Sequence, residues 1–241
     1  MDTSAHLTHL RADGAALAAA ARHGTEAAVE SCPGWSVADL VEHVGRVHRW
    51  VVRSFDSPTD ARVQWVADDD PDPGADLAEW YEERLGELLG RFDTDDLDRE
   101  VATFLGPRPM RWWARRQAQE TSIHRWDGQS AHGTPGAIDP ALASDGVDEY
   151  LTVFMRRWGK QLPTDGSTVH LHCTDVEGEW LVRFAADGPE VERAHAKGDV
   201  AVRGPAEQLD LLLWNRVAPS AVELLGDAGA YERSFGAIAN G

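Results

Sequence analysis

Lysine is nearly missing from this chain: Lys160 and Lys197 are the only two among 241 residues. Cysteine is equally scarce, with Cys32 and Cys173 alone. Two thiols that far apart in sequence give neither a disulfide framework nor a zinc-knuckle spacing. Positive charge is short overall: 23 Lys and Arg stand against 41 Asp and Glu, a net charge of −18 with a pI near 4.8. Such a surface repels phosphate backbones and anionic bilayers, so neither nucleic acid nor a membrane is expected as partner. No apolar run approaches the roughly 20 residues that span a bilayer. The first residues, MDTSAHLTHLRADG, lack a basic segment followed by an apolar one, which predicts a cytoplasmic protein without a signal peptide. Gly-x-Gly-x-x-Gly and Walker loops are absent, as are internal repeats. The shortage of lysine beside abundant Arg, Ala, Asp and Gly matches a GC-rich genome and says little about function.

The chain does hold 42 % hydrophobic residues and ten tryptophans, enough to build a core without covalent staples. Residues 4–23, rich in Ala and Leu, predict a first helix. After the turn in SCPGWS, Ser36 opens the capping-box pattern SVAD. Behind it Val37, Leu40, Val41, Val44, Val47 and Val51 recur at helical spacing and predict a second helix to about residue 54. A Pro-rich loop, ADDDPDPGAD, leads to a third helix near 75–91, and a fourth spans about 110–127. A further helical stretch is expected over Pro140–Trp158. Alternation then takes over, in STVHLHCTD, GEWLVRFAADG and EVERAHAKGDVAVRG, before PAEQLDLLLWNR returns to helix with Pro205 suited to its first turn. The fold class expected is α+β: a helical bundle over residues 1–140, then a smaller α+β domain over 145–241.

On the fourth helix, Trp113, Arg116, Gln117, Glu120, His124 and Asp127 share one face. Glu120 and His124 are i, i+4 neighbours, able to hold one object between a carboxylate and an imidazole. Both are good ligands for a divalent ion such as zinc. Two ligands are too few, and His43 on the second helix, in DLVEHVG, is a candidate third, since helix bundles build metal sites from facing helices. Spacing alone leaves a plainer alternative open, a solvated Glu–His pair beside a core-edge histidine.

Taken in order, CPGWSVADLVEHVGRVHRW, RRQAQETSIHRWD, VRFAADG and GPAEQLDLLLWNR resemble the mycothiol-dependent maleylpyruvate isomerase family, whose N-terminal domain is similar to DinB-like metal-binding four-helix bundles. The resemblance covers nearly the whole chain. It implies a metal triad at His43, Glu120 and His124, holding Zn²⁺ or another divalent ion with one position open. It implies mycothiol as the low-molecular-weight thiol cosubstrate, deprotonated on the metal to a nucleophilic thiolate. For maleylpyruvate, thiolate addition to the cis double bond, rotation and elimination give the trans isomer. The same triad equally serves a mycothiol S-transferase acting on another small electrophile, and a non-catalytic metal-binding or regulatory bundle stays open. The family places an essential arginine in its C-terminal domain. Arg216 in LLLWNR is the best positional match and Arg203 the fallback, against the plain alternative of an arginine complementing a helix end.

The remaining candidates are weaker by sequence. His170 and His172 share one strand face, but with no carboxylate or third histidine adjacent they are expected to be strand-surface residues. His48 is expected to point away from His43. Arg108, Arg111, Arg115 and Arg116 are expected to pair with neighbouring carboxylates, and Cys32 to be a buried structural thiol. Neither the oligomeric state nor the electrophile is legible.

Overall fold

The computed structural model describes residues 1–64, 66, 70–72, 74–94, 96–133, 135–155 and 162–235. It divides into two compact units, Met1–Ala137 and Ile138–Gly241.

The first unit is a four-helix bundle of α1 (Thr3–His23), α2 (Val37–Asp56), α3 (Leu77–Arg91) and α4 (Arg111–Ser130). Each of the first three starts at a side-chain cap. Asp2 Oδ1 accepts from the Ala5 amide at 2.8 Å, and Asp76 accepts from the amides of Ala78 and Glu79. Ser36 and Asp39 close the capping box reciprocally. These bonds satisfy amide donors that a helix start leaves open. The valine stripe of α2 is buried as its spacing predicts, and α2 packs on α3 and on α4. The most extensive packing joins α1 to α4 and α2 to α3. Two glycines let α3 come close: a Cβ on Gly14 would overlap Leu85, and a Cβ on Gly45 would overlap the ring of Trp80. Between α3 and α4 lies a two-stranded antiparallel ladder, β1 (Glu100–Val101) against β2 (Arg108–Pro109), where the sequence had shown no strand. Trp113 locks it to the bundle, its Nε1 donating to the Ala102 carbonyl at 2.9 Å. Of the Pro-rich loop at 67–76, residues 67–69 and 73 lie outside the described residues.

The second unit opens with α5 (Pro140–Glu149), capped by Asp139 with Pro at its first turn. Its last turn widens into a π-turn over Tyr150–Phe154. The final residues of the helix expected to Trp158, and Lys160, lie outside the described residues. A five-stranded sheet follows, built from β3 (Thr168–Cys173), β4 (Glu179–Ala185), β5 (Gly188–Glu192), β6 (Val200–Gly204) and, after α6 (Ala206–Leu213), β7 (Glu223–Gly226). A short α7 (Ala228–Arg233) ends the described part. Strand order is β5-β4-β3-β6-β7, with β3 and β6 parallel and every other neighbour antiparallel. Val169, Leu171, Val182, Phe184, Val200 and Val202 form one buried face, against which α6 and α7 pack. The other face is more polar and carries His170, His172 and Glu179.

Because Gly45 sits where a methyl group would strike Trp80, Gly45→Ala is expected to cost about 1–3 kcal/mol as overpacking, despite the better helix propensity of alanine. Thermal denaturation followed by circular dichroism reads this directly. An unchanged or higher Tm would show that α2 and α3 have room to spare.

Candidate metal centre

His43 projects from α2 toward α4, where Glu120 and His124 occupy successive turns. Glu120 Oε1 lies 3.2 Å from His43 Nε2 and 3.4 Å from His124 Nε2. One ligand atom from each of the three residues falls within 4.8 Å of the others. The structure therefore brings together the three residues singled out by sequence. Trp35 walls the cluster, its ring 5.0 Å from that of His43 and 6.5 Å from that of His124 by centroid. The turn in CPGW puts it there. Trp35 N donates to Cys32 O at 3.0 Å across Pro33 and Gly34, and Gly34 has φ 85°, a type II geometry that requires glycine.

The two carboxylate oxygens of Glu120 divide their work. Oε1 faces the imidazoles, while Oε2 accepts from Arg116 Nη2 at 2.9 Å, a guanidinium only 4 % exposed. Burial opposes charge on Glu120, yet the hydrogen bonds from His124 and His43 and the charges of His124 and Arg116 outweigh it and hold the carboxyl well below its usual range. Burial likewise opposes charge on His124, but Asp127 and Glu120 override it, and the imidazole is pushed up to about 9. Asp127 Oδ2 lies 3.0 Å from His124 Nδ1, and its Oδ1 accepts from Ser31 Oγ at 2.6 Å. Asp127 was legible as a member of the polar stripe; its anchor Ser31, 96 residues upstream, was not.

Several expectations need correction or refinement. Cys32 is half-buried rather than buried, with Sγ 3.8 Å from Asp127 Oδ2, so it belongs to the fringe of the cluster. Gln117 faces inward, its Oε1 2.9 Å from Nδ1 of the fully buried His48. Arg111 pairs with Asp98 and Arg116 with Glu120. In the second unit, Arg203 Nη1 donates to Glu223 at 3.2 Å, and Arg216 Nη1 donates to the Trp214 carbonyl at 2.6 Å. His170 and His172 are not lone strand-surface histidines. Glu179 and His195, from β4 and the loop after β5, converge on them. Glu179 is the cross-strand partner of His172, a pairing the sequence shows only once the hairpin register is known.

Comparison with known proteins bears on the chain as a whole. Residues 7–128 match the family model of the mycothiol maleylpyruvate isomerase N-terminal domain, and residues 141–233 that of the MDMPI C-terminal domain. Among solved structures, the crystal structures of a mycothiol-dependent maleylpyruvate isomerase and of a histidine-to-alanine mutant of it are similar in fold. Each has 15 % identity, 93 % of both chains covered and a TM-score of 0.64. No curated sequence matches.

His48, behind the cluster, titrates in the opposite sense from His124. Burial, only partly offset by Gln117, lowers it to about 4. A base lowered in the folded state stabilises the fold above its unfolded value near 6.5, and that stability is lost as pH falls from there toward 4. Between pH 7.5 and 4.5 the metal-free protein is expected to lose about 2 kcal/mol more than a His48→Gln variant, which does not titrate. Urea denaturation at the two pH values measures it, and parallel losses in the two proteins would remove His48 as the cause.

Proposed function

The chain belongs to the mycothiol maleylpyruvate isomerase family, and from that premise we propose that it is a metal-dependent, thiol-using enzyme whose metal ligands are His43, Glu120 and His124. The observation that carries this is the convergence of His43 Nε2, Glu120 Oε1 and His124 Nε2 on one point between two helices. Two imidazoles and a carboxylate suit Zn²⁺, and three protein ligands leave a position open, as in catalytic sites. When bound, the metal would favour the thiolate form of mycothiol near neutral pH.

The residues around the triad have separable tasks. Asp127 engages His124 Nδ1, so that Nε2 keeps its lone pair for the ion, and Ser31 holds the carboxylate in turn. Arg116 pins the far oxygen of Glu120 and balances its charge. Trp35 lays an apolar ring over both histidines and limits water beside the open position. The reaction we favour is cis–trans isomerisation of an unsaturated dicarboxylate related to maleylpyruvate. The thiolate adds to one alkene carbon, the resulting single bond rotates, and elimination restores the alkene and releases the thiolate. An anionic substrate calls for a cation, and Arg216 is assigned that role; its hydrogen bond to the Trp214 carbonyl holds the guanidinium in a defined place.

Three variants test the assignment. His124→Ala is expected to abolish mycothiol-dependent turnover of maleylpyruvate while the bundle stays folded. Asp127→Asn is expected to retain the fold and weaken zinc binding by about 10–100-fold, the usual effect of losing a partner behind a ligand. Arg216→Met is expected to lower turnover by orders of magnitude with zinc content unchanged. Full turnover by metal-free His124→Ala protein would end the metal–thiolate reading. Near-normal turnover by Arg216→Met would remove the anion clamp. A wild-type protein that consumes thiol stoichiometrically with another electrophile, and leaves maleylpyruvate untouched, would be an S-transferase.

A further inference from the structure

The polar face of the sheet in the second unit holds a side-chain cluster that the thiol chemistry does not use. His170 and His172, two apart on β3, point to the same side, as strand geometry requires. Glu179 lies opposite His172 in the β3–β4 register. His195 reaches the same place from the loop between β5 and β6. The carboxylate takes all three rings: Oε1 is 2.9 Å from His172 Nδ1, while Oε2 is 3.3 Å from His170 Nε2 and 2.5 Å from His195 Nδ1. One ligand atom from each of the four residues lies within 4.8 Å of the others.

The loop that delivers His195 is anchored on both sides. Ahead of it, Arg193 forms two bonds to Asp148 of α5, at 2.6 and 2.7 Å. Behind it, Asp199 accepts from both the amide and the hydroxyl of Thr168. At Gly198 the loop backbone presses so close to His170 and Thr168 of β3 that a Cβ would collide with main-chain atoms. His195 meets the cluster through Glu179 while its side chain stays 82 % exposed. His170 is buried by contrast, an unusual setting for a histidine on an open sheet face. The cluster borders a cavity of about 420 Å³ whose walls include His170, His195, Lys197 and Leu225. Arg203, the neighbour of His172 on β6, is engaged by Glu223, while Glu179 pairs with the three histidines.

Three imidazoles and one carboxylate are a donor set that suits zinc, copper or nickel far better than magnesium or calcium. Four protein ligands would complete a tetrahedral shell, the pattern of a structural rather than a catalytic zinc site. We propose that His170, His172, Glu179 and His195 form a second, structural site for a divalent transition-metal ion, with zinc the best fit, which clamps the β5–β6 loop to the sheet.

Zinc stoichiometry and affinity test this independently of the triad in the bundle. Metal-free wild-type protein is titrated with Zn²⁺ in a calorimeter, alongside His195→Ala, His172→Ala and a His43→Ala/Glu120→Gln variant that lacks the first set of ligands. The expected result is one zinc fewer per chain in His195→Ala than in wild type, and one zinc retained in His43→Ala/Glu120→Gln. Adding His172→Ala to the latter should weaken its binding at least about tenfold, since losing even a partner behind a ligand costs that much. His195 is exposed, so its replacement leaves the fold intact, and circular dichroism without metal verifies this. Zinc should also raise the Tm of His43→Ala/Glu120→Gln but not that of the same variant carrying His195→Ala. Co²⁺ in place of Zn²⁺ should give intense tetrahedral d–d absorption in the former alone. Equal stoichiometry in wild type and His195→Ala would overturn the second site. Failure of the bundle site alone would instead leave wild type with one zinc that His195→Ala removes.

Discussion

Glu120 carries its charge at the seam between α2 and α4, with two imidazoles on one oxygen and a guanidinium on the other. Removing a carboxylate from water is unfavourable by several kcal/mol unless the surroundings replace the lost hydration. Here they do so with opposite charge and hydrogen bonds, and the consequence extends outward. Arg116 must be buried to reach Oε2. His124 must be oriented, which requires Asp127, and Asp127 in turn requires Ser31 on the turn before α2. The polar stripe on a tryptophan-bearing helix is therefore a chain of dependent contacts that begins at one carboxylate.

That chain also explains why the segment before α2 has its composition. Pro33 and Gly34 make a tight reversal, Gly34 supplying a positive φ. The reversal presents Ser31, Cys32 and Trp35 to α4 on one side, while Ser36 starts α2 on the other. A few residues thus cap a helix, hold a carboxylate and wall a cluster. Gly45 and Gly14 do a complementary job for α3, allowing the bundle to close tightly around a polar interior seam.

Most of the longer helices were legible from composition or regular apolar spacing, and Ser36 with Asp39 marked the start of α2, whereas α7 is only six residues long and carries too short a pattern to read. The juxtaposition of Glu120 and His124 was legible from i, i+4 geometry, and His43 entered through its helix face and the family resemblance. What stayed hidden depends on long-range pairing. The β1–β2 ladder is two residues long and contains Pro109, so no alternation announces it. Strand β7 reads ELLG, too short to separate from the turn before it. The π-turn at Tyr150–Phe154 leaves the apolar spacing intact, so a plain helix was the natural reading. His170 and His172 looked solitary because Glu179 joins them only through the hairpin register, and His195 only through a loop fold.

The order of the helices sets a timetable for synthesis. The most extensive packing in the first unit joins α1, the first helix made, to α4, the last. Arg125 of α4 bonds Asp13 of α1 across 112 residues, and His132 reaches the Ala20 carbonyl across the same separation. At about 5–20 residues per second, a ribosome needs roughly 5–20 s to supply that stretch. Throughout that interval α1 can pack on α2 and α3 but not on α4, its most extensive partner, and His43 waits on α2 without its two counterparts. The three metal-ligand candidates therefore meet only when the whole first unit has emerged.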